Sequence, residues 1–576
     1  MLKETLFLKF VVMATIVSLA LSACGGGQAV TAEPVQQQST AKPVQQQSTA
    51  EPVQPQPTQE PTSSQPQVAI LIFTQEPDTM NPLYTNMYFS TILDQLWNVW
   101  AWQYDDQNAP YPVLVKEMPT LENGGIAADG KAITLHLRDD IKWSDGEPLT
   151  SADFKFTYDM TMAKINTVAT TYPYDSISSV DTPDAQTVVL NFSKPFAPWL
   201  LLFKGLIPEH ILKPVFDKDG TLDNAEWNKN PTVGIGPYVF KEWQSGSQLL
   251  FVRNDNYFGE KAKLDQIFIR IVPDDASQIA ALKAGDGDLG IFIAYPDIPP
   301  LEQAGVKVVS VASGFSEGWY FNLGDKGSPA LKDVRVRQAL AYAVDREKIT
   351  KDLLLGKTQP GASLWDKSIY VDPSLKPLPF DPEKAKQLLD EAGWKVGANG
   401  IREKGGVKLE LRYGTTTKEV RQNTQAIVQQ MLEQVGIKVD LLNYESDIFF
   451  ADLKNKGPTY SGELDIMEWS DAPLFPDPDI SYWRCAQIPS NESPQGTNAE
   501  FLCDKGLDAL FQLQATQVDL NQRIDTFHKI SKLMYDQVYW LSIWQDPDIW
   551  AVGKRLDNVK LSGITPFYNV AEWTLK

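Results

Sequence analysis

The chain has 576 residues, room for roughly three to four units of ordinary domain size, and its 43% hydrophobic and 22% charged content is that of a globular protein. A formal charge of −21 and a pI near 4.7, with no run of Lys or Arg, exclude nucleic acid as a partner, because no basic face can be assembled. Three scattered histidines, His136, His210 and His528, exclude a histidine-rich transition-metal centre, and no cofactor is expected.

From the N-terminus, Lys3 and Lys9 flank a charged start, and Phe10 to Ala23 is almost wholly apolar. That run falls short of the roughly 20 residues of a membrane-spanning helix and reads as a secretory leader. Leu21-Ser22-Ala23-Cys24 resembles a bacterial lipobox, which implies cleavage before Cys24 and leaves it as a lipid-modified N-terminus; a non-lipidated leader cleaved nearby is the alternative. After Gly25-Gly26-Gly27 comes a nine-residue repeat, AEPVQQQST from Ala32, AKPVQQQST from Ala41 and AEPVQPQPT from Ala50. Pro, Gln, Ser and Thr bury too little apolar surface to offset ordering entropy, so the segment to Gln67 reads as a semi-extended spacer.

Folded structure is expected from Val68, where a β-rich opening runs to Phe73. Ile133, Leu135 and Leu137 alternate with Thr134, His136 and Arg138, a strand with one wet face on which His136 is structural. Thr150 with Asp153 forms a capping box for a helix carrying Phe154 and Tyr158. Further on, Asp333 is placed to cap a helix with Val336, Ala339, Leu340, Ala343 and Val344 at helical spacing. Asp381 precedes Pro382 at a first helical position, and Gly393 ends that helix. Val407–Tyr413, Glu419–Val435 and Ile437–Leu442 read as strand, helix and strand, a parallel βαβ unit.

Three motifs resemble catalytic or metal sites as strings only. Gly314-Phe315-Ser316-Glu317-Gly318 matches G-x-S-x-G, but that elbow needs a helix after the serine, and Trp319 to Leu323 reads as a strand. Gly356-Lys357-Thr358 ends like a phosphate-binding loop, yet Lys351 stands where its first glycine belongs. Asp217, Asp219, Gly220, Asp223 and Glu226 approach calcium-loop spacing, with Val215 at the first ligand position, so a solvated acidic loop is expected.

The stretch Leu464–Trp483, LDIMEWSDAPLFPDPDISYW, begins as a strand and then interleaves Asp471, Asp477 and Asp479 with Pro473, Pro476 and Pro478. Prolines end the ladder and stiffen the loop. Carboxylates beside Trp469, Phe475, Tyr482 and Trp483 suit a polar organic ligand, and a rigid surface loop is the plainer reading. Just beyond, Cys485 and Cys503 bracket a polar loop; in an exported chain such a pair closes a disulfide, with two free thiols as the alternative.

Several of these segments, in order, carry a family resemblance. ITLHLRDDIKWSDGEPLTSADFKFTYD from Ile133 is followed by Gly234-Ile235-Gly236-Pro237-Tyr238, Arg253-Asn254-Asp255-Asn256-Tyr257-Phe258 and PDDASQIAALKAGDGDLG from Pro273. YFNLGDKGSPALKDVRVRQALAYAVDREKI from Tyr320 and DPEKAKQLLDEAGW from Asp381 come next. Together they resemble the family-5 extracellular solute-binding proteins of bacterial ABC transporters, over essentially all of Val68–Lys576. The resemblance implies an α/β fold of the periplasmic-binding-protein type II, cluster C: two lobes, a hinge, and an extra β-rich subdomain in the first lobe. It implies a leader at 1–23, an anchored linker at 24–67, lobe I at 68–84, 191–315 and 546–576, an inserted subdomain at 85–190, and lobe II at 316–545. The chain would cross between lobes near 313–321 and 541–548.

By the same resemblance the protein is no enzyme but a monomeric, lipid-anchored, extracytoplasmic receptor that delivers an oligopeptide to permease subunits in the membrane. In peptide-binding members an aspartate after a tryptophan at a strand end pairs with the peptide's α-amine. Trp469-Ser470-Asp471 matches that position with one residue fewer than the usual Trp-x-x-Asp, which leaves Asp477 and Asp479 as substitutes. Trp319, Asn322, Tyr84 and Tyr88 are further pocket candidates, each equally able to be core, and Arg484 is a candidate for a ligand carboxylate. The many Trp and Tyr keep an oligosaccharide ligand open, while the few histidines disfavour nickel. An exported hydrolase using Ser316 and a surface sensor or adhesin on the same fold complete the alternatives.

Overall fold

The strands that carry the architecture are, in chain order, β1 (Val68–Phe73), β2 (Ala132–His136), β3 (Ile177–Asp184), β4 (Thr187–Phe192), β5 (Tyr238–Gln244), β6 (Gln248–Arg253), β7 (Gln266–Ile271), β8 (Leu289–Ile291), β9 (Lys307–Phe321), β10 (Glu410–Thr416), β11 (Lys438–Tyr444), β12 (Ile466–Ser470) and β13 (Trp540–Val552). The helices that matter for the site are α1 (Tyr88–Trp97), α2 (Ser151–Met162), α3 (Glu419–Gln434) and α4 (Leu520–Gln537). These come from a computed structural model that describes residues 65–471, 477–478 and 480–576. The leader, Cys24 and nearly all of the spacer lie outside the described residues, as do Pro473, Phe475, Pro476 and Asp479.

Ten strands join in one mixed sheet, ordered β11-β10-β12-β9-β13-β8-β1-β7-β6-β5. β1 reads VAILIF and lies parallel to both neighbours, Leu71 opposite Leu289 on one side and Ile269 on the other, as an apolar run covered on two faces should. At the far end, β10 and β11 pair in parallel from Glu410↔Lys438 to Thr416↔Tyr444 with α3 as the crossover. The strand expected at Val407–Tyr413 is divided. Leu409 donates its N–H to the carbonyl of Arg402 in a small neighbouring sheet, while its own carbonyl accepts from the N–H of Lys438, so the chain changes partner there and regular pairing runs on to Thr416 instead.

β2, β4 and β3 form a separate antiparallel sheet, with His136 exposed at its edge. The Thr150–Asp153 capping box starts α2 as expected, and Asp333 and Asp381 each cap their helix by accepting a backbone N–H. The apolar cores run across the boundaries drawn from the resemblance. Ile92, Leu93, Leu96 and Trp97 of α1 pack into the core on β1, where Phe89 meets Phe73 at 4.9 Å. The core under the small sheet takes residues from Val99 to Ile235, with Val518 added from far along the chain.

β9 and β13 are the longest strands, 15 and 13 residues. They pair antiparallel from Lys307↔Val552 to Ala312↔Pro547 and again from Ser316↔Gln545 to Tyr320↔Trp540, with a register shift between. β13 borders β8 and β9 borders β12, so this ribbon links an N-terminal half to a C-terminal half. Gly314, at φ 83° inside the shift, takes a left-handed conformation that a side chain would strain. Trp550, Phe567 and Trp573 return to the N-terminal core. The result is the two-lobed type II α/β fold, with a hinge ribbon and an extra β subdomain.

Candidate ligand-binding site

Four of the residues singled out from the sequence meet at the β9–β12 pair. Trp469 lies opposite Gly318, and its ring stacks flat on Tyr320 with centroids 3.7 Å apart. Trp319 donates its indole N–H to the Tyr413 hydroxyl at 2.9 Å, and Asn322 donates to the carbonyls of Gly462 and Leu464. Asp471 follows β12, 1% exposed, its N–H given to the carbonyl of Ser316. Its carboxylate adds to burial in raising the pKa of Tyr320 and of Tyr460.

Tyr84 and Tyr88 stand in the other half. Tyr84 donates to Asp223 at 3.0 Å, and Tyr88 reaches Asp548 at 3.4 Å with its ring 5.3 Å from that of Phe292. The structure does not bring the seven candidates into one pocket.

Around the hinge ribbon the chain concentrates acids. Glu317 is buried and held by the Arg421 guanidinium at 2.7 and 2.9 Å; burial pushes its pKa up and Arg421 pulls it back. Glu468, fully buried, is raised by burial and then by Glu317, and bonds the Tyr413 hydroxyl. Asp546 accepts from Ser470 and from the Trp544 indole. Ser316 is completely buried, and its Oγ accepts from Gln545 at 2.9 Å. Buried within a strand, it has neither the exposure nor the following helix that a nucleophile elbow needs.

A pocket of about 560 Å³ lies where the halves face each other, within the range of ligand sites. Tyr172, Pro198 and Leu201 form one wall; Asp477, Ile480, Arg484, Gln487, Gln514 and Arg523 form the other. Asp477, a sequence candidate, is therefore in it. Its carboxylate is paired with Arg523, Nη2 to Oδ1 at 2.9 Å. Arg523 also bonds Gln514 and the Tyr370 hydroxyl and crosses to the carbonyl of Ala197. Burial opposes its charge, but Asp477 holds the guanidinium pKa above its ordinary value. Arg484 lines the same wall and is anchored by Asp508 at 2.9 Å.

The Cys485–Cys503 disulfide lies just behind this wall. Arg523 and Tyr172 were missed from the sequence. Arg523 had a signal: it shares the buried stripe of α4 with Phe527, Ile530 and Met534, and an arginine in an apolar stripe needs a buried partner.

The family model described as bacterial extracellular solute-binding proteins, family 5 Middle, matches residues 109–490. The oligopeptide-binding protein AppA of Bacillus subtilis is 27% identical over 516 residues, 87% of this chain and 90% of that one. Its solved structure in complex with a nonapeptide superposes with a TM-score of 0.58 at 24% identity, covering 89% of this chain and all of that one. NikZ of Campylobacter jejuni, solved in complex with Ni(L-His), gives a TM-score of 0.62 at 24% identity over 88% of this chain and 99% of that one.

Proposed function

We propose, on the premise that the chain belongs to the family-5 bacterial extracellular solute-binding proteins, that it is the receptor of an ABC importer which encloses an oligopeptide between its lobes and presents the closed form to a permease. The observation that carries this reading is the pocket shared by both halves, walled by Asp477 and Arg523 on one side and Tyr172 and Leu201 on the other. A ligand there contacts both lobes at once, which is how binding favours a closed state over an open one. No helix among the described residues is long and apolar enough to cross a membrane. Lipid on Cys24, with the repeat segment as tether, is the proposed attachment.

Peptide is favoured over oligosaccharide because Trp319 and Trp469, which would serve as sugar platforms, are packed inside the protein. A desolvated carboxylate such as Asp471 orients an ammonium strongly, and we assign it the peptide's α-amine, reached when the lobes part. Calorimetric titration of tetra-alanine into the wild type and Asp471→Asn tests both statements. Binding to the wild type at least tenfold tighter than to the variant is expected. No binding to either removes the peptide reading, and equal binding removes Asp471 from the site.

A further inference from the structure

A second pocket, about 340 Å³, opens off the first in the N-terminal half, and Tyr172 and Leu201 line both. Its size is at the small end of ligand pockets and has room for one residue of a peptide. It contains Asp94 of α1 and Lys204. Asp94 is 4% exposed, and its carboxylate has no hydrogen bond or ion pair among the described residues. The Lys204 ammonium likewise makes no hydrogen bond among them and lies over the face of Trp100, 5.7 Å from the ring centroid. The two do not pair with each other. A buried ionisable group without a partner is costly in its charged form, and here an acid and a base that lack one line the same cavity.

Lys204 lies within the field of Asp477, which lines the interlobe pocket; burial lowers its pKa to about 8 and Asp477 pulls it back up. Asp94 shares the second pocket with Thr85, Asn86 and Thr91 and feels Asp78, and burial followed by Asp78 raises its pKa. The cation is thus the group tied to the interlobe pocket, and the acid belongs to the N-terminal half.

We infer that this pocket receives the C-terminal residue of the peptide and selects lysine or arginine there, Lys204 taking the free carboxylate and Asp94 the cationic end of the side chain. A residue with a free carboxylate and a cationic side chain offers each of the two groups the partner it lacks. An acidic N-terminal residue carries the same two charges in the reverse order and does not fit.

The inference rests on the peptide reading, and its test separates the two. Ala-Ala-Ala-Lys, Ala-Ala-Ala-norleucine, the C-terminal amide of Ala-Ala-Ala-Lys, and tetra-alanine are titrated calorimetrically into the wild-type protein, Asp94→Asn and Lys204→Met. The lysine peptide is expected to bind the wild type at least tenfold tighter than the norleucine peptide or the amide. Asp94→Asn should abolish the preference over norleucine, and Lys204→Met the preference over the amide. Equal affinity of all four peptides for the wild type overturns the pocket assignment while leaving the peptide reading standing. Binding of none overturns both. The wild-type comparison needs no variant to fold.

Discussion

At the scale of single residues, Asp548 connects the hinge ribbon to solution pH. Burial first, and then Asp546, raise its pKa to about 6 against the hydrogen bond from Tyr88, whereas an unfolded aspartate titrates near about 3.9. Between those values the folded chain holds a proton that the unfolded chain has lost. This contribution to stability is therefore full below about pH 4, falls as pH rises through about 6 and is flat above, by up to about 3 kcal/mol. Asp548→Asn should remove most of that fall. Urea unfolding of both proteins at pH 4 and pH 7 measures it, and parallel pH profiles would show that Asp548 ionises freely in the folded state. What the sequence revealed at this scale was local. Thr150 finds Asp153 three residues away and Asp381 caps the helix directly after it, so spacing alone exposes the chemistry. Asp477 and Arg523 are 46 positions apart, and only the fold joins them.

At the scale of elements, the disulfide is the feature most open to test. Cys485 and Cys503, 18 positions apart, close a loop that keeps Arg484 and Gln487 on the pocket wall. Restricting a loop of that length in the unfolded chain contributes about 3 kcal/mol. The double variant Cys485→Ser, Cys503→Ser should melt several degrees lower, and added reductant should lower the wild type to the same point. An unchanged melting temperature would assign the bond no stabilising role. Elements were legible where one periodicity covered the whole segment, as in α3 and β11. They were misread where tertiary pairing intervened, as at Leu409, whose two backbone groups serve different partners. The stretch after β12 shows the same limit for the site: its aromatic and acidic content marked a ligand neighbourhood, but composition could not tell that Trp469 stacks inside on Tyr320 while Asp477 reaches the pocket.

At the scale of the whole molecule, the halves touch across the pocket as well as through the ribbon. The Trp199 indole donates to the carbonyl of Val518 at 3.0 Å, and its ring packs edge-on against Trp102. Trp199→Phe keeps an aromatic ring and removes the donor, worth about 1 kcal/mol, a roughly fivefold shift of the lobe equilibrium toward the open form. Small-angle scattering of the ligand-free protein should then give a larger radius of gyration, and superimposable curves would show that this bond does not hold the lobes. The return of Trp550, Phe567 and Trp573 to the N-terminal core also bears on how the chain is made. β1, α1 and β7 leave the ribosome early, yet the apolar surface they share is completed by segments synthesised after the entire C-terminal half. During synthesis and export the first lobe waits with part of its interior uncovered, open to chaperones and to aggregation, until the second lobe has been built and the chain has come back across the ribbon.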